Sequence, residues 1–77
     1  MIRQHHIAVA PVEGGGWSLA CDLGLEPMMF LSGARAEAQA RALARRLSEA
    51  GGEVELTVRD RSRALVGMTR YLAGEIG

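Results

Sequence analysis

The 77 residues contain no lysine and no asparagine, and only one cysteine. A lone cysteine cannot close an intramolecular disulfide, the device on which small secreted domains lean, so the expected setting is a reducing cytoplasm. Net charge is missing as well: nine arginines meet nine acids, which argues against the phosphate-neutralising field that most nucleic-acid binders carry. Aromatic residues are limited to Trp17, Phe30 and Tyr71, too few for a platform on which single-stranded nucleic acid could stack. No apolar run approaches the roughly 18 residues of a membrane span, and Met1 to His6 holds an arginine and two histidines where a secretory leader would be apolar. The expectation is a soluble chain with no membrane partner.

Alanine and glycine dominate what is there. Twelve alanines and ten glycines, with arginine as the sole long cation, resemble the product of a GC-rich bacterial genome. The length leaves room for one domain, read as residues 1–66, with residues 67–77 as a C-terminal arm or tail. An 8.2 kDa chain is expected to bury about 60% of its extended surface and to expose about 4,500 Å². Removing the alanines from the 48% hydrophobic fraction leaves 25 residues with substantial apolar side chains. Such a core is marginal, and a homodimer interface would add to it.

Patterning divides the chain into strands and one helix. Around IRQHHIAVAPV, His5, Ile7 and Val9 alternate with His6, Ala8 and Ala10, predicting a strand that starts near Ile2 and ends at Pro11, which cannot donate to a ladder. Gly14, Gly15 and Gly16 supply a hairpin turn. Trp17, Leu19 and Cys21 then alternate with Ser18, Ala20 and Asp22, with Trp17 as the expected core anchor. Asp22 to Pro27 has turn chemistry, and Met28 to Leu31 reads as a short third strand. From Ala34 to Ala50 nearly every residue is a strong helix former, with Ser32 or Gly33 as N-cap and Gly51 just past the end. Ala36, Ala40, Leu43, Leu47 and Ala50 form the expected buried stripe. Val54, Leu56 and Val58 alternate with Glu53, Glu55 and Thr57 in a half-buried strand, Asp60 to Arg63 is a polar turn, and Ala64 to Val66 is a short returning strand. Beyond Gly67 no period stands out.

The order strand, strand, strand, helix, strand predicts an α+β fold: an antiparallel three-stranded meander with one helix packed on one face, then a fourth strand and a short fifth. One helix covers one face. The face opposite Trp17 and Leu19 carries Ser18, Ala20 and, from neighbouring strands, Ala8, Ala10 or Met28 and Phe30. That surface, small and apolar, is the expected place for self-association.

Gly15-Gly16-Trp17, Ala36-Glu37-Ala38, Gly51-Gly52 and Arg59-Asp60 together resemble a small bacterial family of unknown function, the domain numbered twenty-one eighty-eight. The likeness spans about Ile7 to Leu65 and implies the same element order; Arg61 and Ser62 stand where that family has a glycine. It implies no activity. A weaker similarity links the strand, Gly-Gly-aromatic turn, two strands and helix to the antitoxin half of HicA/HicB-type pairs, a ribonuclease H-like fold without its carboxylates. That likeness implies a protein partner.

Residues that could carry chemistry have simpler readings. His5 and His6 are adjacent, so on a strand they face opposite sides and cannot share a metal; both are expected in solvent. Cys21 lacks a CxxC partner and shares a face with Trp17, as a small buried hydrophobe does. The glycine triplet precedes a strand, whereas a phosphate loop precedes a helix and in its Walker form needs lysine. Glu53 and Glu55 form the one same-face acidic pair, with no histidine alongside. No catalytic residue, cofactor or metal is therefore assigned. Charge is segregated: residues 31–50 hold four arginines against two glutamates, while residues 51–58 hold only glutamates. Arg59, Arg61 and Arg63 cluster at the last turn as a candidate surface for an anionic partner, nucleic acid included. The leading expectation is a non-enzymatic protein-association domain that forms a homodimer. The alternative is a weak nucleic-acid-binding or antitoxin-like module using that turn.

Overall fold

The computed structural model describes residues 3–23 and 26–74. Ile2, Gly24 and Leu25, and positions 75–77 of the expected tail, lie outside the described residues. Two strands, β1 (Gln4–Pro11) and β2 (Trp17–Cys21), pair antiparallel with Ile7 opposite Cys21 and Val9 opposite Leu19. Gly14, Gly15 and Gly16 turn the chain between them at φ values of 87°, 104° and 89°, a region closed to most side chains. Val12 N–H donates to the Gly16 carbonyl at 3.0 Å and closes the loop. A third strand, β3 (Met28–Phe30), pairs antiparallel with β2, placing Phe30 beside Trp17 and Met28 beside Leu19.

Ser32 caps the helix α1 (Gly33–Glu49), its hydroxyl accepting from Arg35 N–H at 3.1 Å and satisfying a donor that the first turn leaves without a partner. Gly51, at φ 101°, ends it as expected, and Gly52 N–H returns to the Leu47 carbonyl at 2.9 Å. Gly33 has a second reason to be glycine. A Cβ there would stand 3.0 Å from the Trp17 ring, so its absence lets the indole lie against the first helical turn.

Beyond α1 the sheet departs from a pure meander. The fourth strand, β4 (Glu53–Arg59), pairs parallel with β1, from Gln4 opposite Glu53 to Val9 opposite Val58. The helix, about 25 Å long at 1.5 Å per residue, carries the chain back along the sheet past β2 and β1. The next strand therefore runs in the direction of β3 and β1, and it takes the free edge of β1. A fifth strand, β5 (Leu65–Tyr71), pairs antiparallel with β4 and gives a mixed five-stranded sheet of order β3-β2-β1-β4-β5. This strand corrects the expectation of an arm or tail from residue 67. The register shifts at Val58 and Arg59, so Val66 is an extra residue; beyond it the pairing is regular, but exposed Met68 and Arg70 alternate with Gly67 and Thr69, which leaves no apolar period to read. After β5 the chain stays tied down, because the Ser48 hydroxyl donates to the Leu72 carbonyl at 2.6 Å and Gly74 N–H donates to the Ser48 carbonyl at 2.8 Å.

The core lies between α1 and one face of the sheet. Ile7, Val9, Leu19, Val54 and Leu56 meet Ala36, Ala40 and Ala44, all at most 2% exposed. Leu43 and Leu47 flank this contact and are only partly buried, and Ala50 is exposed. The buried stripe is thus Ala36, Ala40, Ala44 and Ser48, rotated away from the expected one. Trp17 is also partly buried, packed at the margin of the core and not at its centre.

Candidate interaction surface

Alternation along each strand sends one set of side chains to α1 and leaves the other on a face that no described residue covers. Register fixes its rows. Ala20, Ala8, Thr57 and Met68 stand side by side across β2, β1, β4 and β5. Met29, Ser18 and Ala10 form a second row, in which the Ser18 hydroxyl donates to the Ala10 carbonyl at 3.5 Å. His6, Glu55 and Arg70 form a third. Ala8, Ala10, Ser18, Ala20 and Thr57 are half-buried by the sheet itself, while Met29 at 60% and Met68 at 61% stand exposed at its two sides. Met28 and Phe30 share the covered side with Leu19 and Trp17, so the apolar contribution of β3 to the open face is Met29.

The third row was not legible in the sequence as a unit. Glu55 reaches His6 Nε2 with one carboxylate oxygen at 3.7 Å and Arg70 with the other at 3.5 Å, and the Thr57 hydroxyl lies 3.4 Å from the same imidazole nitrogen. EVELTVR already placed Glu55 on this face, but Arg70 lies beyond Gly67, where the sequence shows no apolar period. The His6, Glu55 and Arg70 side chains are all in contact with solvent, so each pair contributes at most about 1 kcal/mol. With Gln4 and Glu53 they line a polar cleft of about 310 Å³ at the end of the sheet.

His5 points the other way, as adjacency on a strand requires, but it is not in solvent. Its side chain is 10% exposed, sits against Gly52, and brings Nδ1 to 3.5 Å from an Asp22 carboxylate oxygen. Cys21 is half-buried at the core margin, where burial pushes its thiol above the ordinary range. Among the described residues no group of three or more histidine, cysteine or acidic side chains is placed to hold one metal ion.

Two of the three turn arginines, Arg59 and Arg61, make contacts within the chain. Arg59 donates from Nη1 to the Arg63 carbonyl at 3.0 Å, while the Arg61 guanidinium lies 5.3 Å from the centre of the Trp17 ring, toward the helix-covered side. Arg63 occupies the left-handed region at φ 68°. Asp60 organises this turn: its Oδ1 accepts from Ser62 Oγ at 2.6 Å, from Ser62 N–H at 2.8 Å and from Ala64 N–H at 3.1 Å. The Ser62 hydroxyl, with the two backbone donors, holds the Asp60 carboxyl below its usual range. A depressed folded value means that the carboxylate supports the turn above the ordinary carboxylate range, about pH 4, and that this support fades as pH falls through the lowered value. Amide shifts of Ser62 and Ala64 should therefore titrate together at a pH below that of a free aspartate, and lose the transition in Asp60→Asn.

Comparison with known proteins places nothing beside this chain: no family model, no curated protein and no solved structure matches it.

Proposed function

We propose that this is a non-enzymatic protein-association domain that self-associates as a homodimer through the uncovered face of its sheet. The observation that carries the reading is the one-sided architecture. A single helix covers one face, and the other presents a smooth centre of Ala8, Ala10, Ala20 and Thr57 between exposed Met29 and Met68. Alanine and threonine let a second sheet approach closely, and burying two exposed methionines per copy supplies apolar area.

The face is small. Five strands spaced at about 4.8 Å and some seven residues at about 3.3 Å give roughly 20 by 20 Å, below the roughly 800 Å² per partner of a standard interface. Association in the micromolar range is the expected strength. Sedimentation equilibrium from about 1 to 500 µM should show the mass rising from 8.2 kDa toward twice that value. A strictly monomeric profile over that range would remove the self-association reading.

The alternative, a weak nucleic-acid-binding or antitoxin-like module using Arg59, Arg61 and Arg63, has less support. The Arg61 guanidinium lies over Trp17, and a chain with nine arginines and nine acids has no net positive field. That reading requires binding at low salt that falls when the three arginines become alanine.

A further inference from the structure

We propose that the two copies stack face to face with their strands antiparallel, so that Arg59 of each lies over Glu55 of the other; this rests on the self-association reading above.

Two-fold axes lying in the plane between identical sheets bring their open faces together, and the two limiting directions run along and across the strands. An axis along β4 keeps strand direction and sets Glu55 over Glu55 and Arg59 over Arg59, two like-charge contacts. An axis across the strands reverses direction and has the opposite result. On the open side of β4 the row is Glu55, Thr57, Arg59, with the two charges equidistant from Thr57, each about 6.6 Å away at 3.3 Å per residue. With the axis running along the row Ala20, Ala8, Thr57 and Met68, each of those residues meets its own copy, and Arg59 arrives above the second copy's Glu55.

Shape favours the same register. The row on the axis has three small members, Ala20, Ala8 and Thr57, which let the two sheets approach closely there. His6, two residues from Ala8 on one side, lands over the second copy's Ala10, two residues away on the other, so a large side chain faces a small one. Met68 packs on Met68 at one side of the interface. The resulting strand directions fall within the roughly 30° range of aligned sheet packing.

Glu55 is flanked on its own sheet by His6 and Arg70, so the second copy's Arg59 arrives beside Arg70 and shares the Glu55 carboxylate with it. Arg59 uses Nη1 on the Arg63 carbonyl and keeps the rest of its guanidinium fork free for a carboxylate. Glu53 lies four residues from Thr57, beyond the position opposite Arg59.

A charge swap tests this. Arg59→Glu places Glu over Glu twice in its homodimer, and Glu55→Arg places Arg over Arg twice; each should weaken homodimer formation at least about tenfold. Mixed in equal amounts, the two variants form one swapped pair and one native pair. The mixture should recover dimer with an affinity within about threefold of the unmodified chain. Both positions are solvent-accessible, so circular dichroism should show the fold retained. If Glu55→Arg nonetheless fails to fold beside Arg70, Glu55→Lys takes its place, and Arg59→Glu alone still has to weaken its own dimer. Variants that dimerise as well as the unmodified chain, or a mixture that stays monomeric, overturn the proposed orientation. An unmodified chain that never dimerises overturns the self-association reading itself.

Discussion

Leu56→Ala is expected to destabilise the fold by about 3 kcal/mol, within the roughly 2–5 kcal/mol range of such truncations in a well-packed core. Leu56 is 1% exposed, sits on β4 beside Ile7 of β1, and lies under α1. Its neighbours across the core are alanines, which have no side-chain length with which to fill the space. A chain of 77 residues has a total stability of roughly 4–12 kcal/mol, so this single change removes a quarter or more of it. In thermal unfolding followed by circular dichroism at low micromolar concentration, the Tm should fall by more than about 12 °C. A loss under about 1 kcal/mol would mean that the space between helix and sheet is not closed around this side chain.

Ala40→Leu is expected to destabilise by about 2–3 kcal/mol although it adds apolar area. Ala40 is 0% exposed and lies in the middle of the helix surface that meets Ile7, Val9 and Val54. The sheet approaches the helix backbone closely because alanine stands at 36, 40 and 44. Three further carbon atoms at the central position force α1 away or push neighbouring side chains off their rotamers. The same substitution at Ala38, exposed on the far side of the helix, should change stability by no more than about 0.5 kcal/mol. If both variants behave alike, the alanine contact is not what sets the distance between helix and sheet.

These two residues also show which parts of the fold were legible in the sequence. The period of two in HHIAVAP and EVELTVR showed which side chains of β1 and β4 face the helix, local backbone chemistry placed the helix end at Gly51, and it narrowed the N-cap to Ser32 or Gly33, of which Ser32 is the cap. The helix face was misjudged because large apolar residues draw a hydrophobic stripe toward themselves. Leu43 and Leu47 suggested the centre of the contact, yet the smallest residues occupy the line of closest approach and the leucines flank it. Trp17 was misplaced for the same reason: its bulk fits at the margin, over Gly33 and under Arg61.

Topology was less legible than face. Nothing local in β4 states which strand it joins; that follows from the span of α1 and from the one edge left free on β1. β5 was missed beyond Val66 because apolar Met68 faces the open side while Gly67 and Thr69 take the other, and with it Arg70 was lost from the row formed with Glu55 and His6. In the candidate arginine cluster, Arg59 bonds back to the turn and the Arg61 guanidinium lies over Trp17, contacts that spacing along the chain does not reveal.

The open face was half legible. Ser18 and Ala20 were placed on it from alternation, Ala8 and Ala10 were one of two options, and Met29 was not singled out. Its centre offers the most direct measurement. Ala8 is half-buried by its own sheet and faces away from α1, with Ala20 and Thr57 on either side. Ala8→Arg therefore leaves the helix-side core untouched, while it sets two like charges together on the symmetry axis of a face-to-face pair. Sedimentation equilibrium of this variant beside the unmodified chain should show one that keeps its circular dichroism spectrum and stays at 8.2 kDa where the other approaches twice that mass. A folded Ala8→Arg that dimerises with unchanged affinity would contradict association through this face.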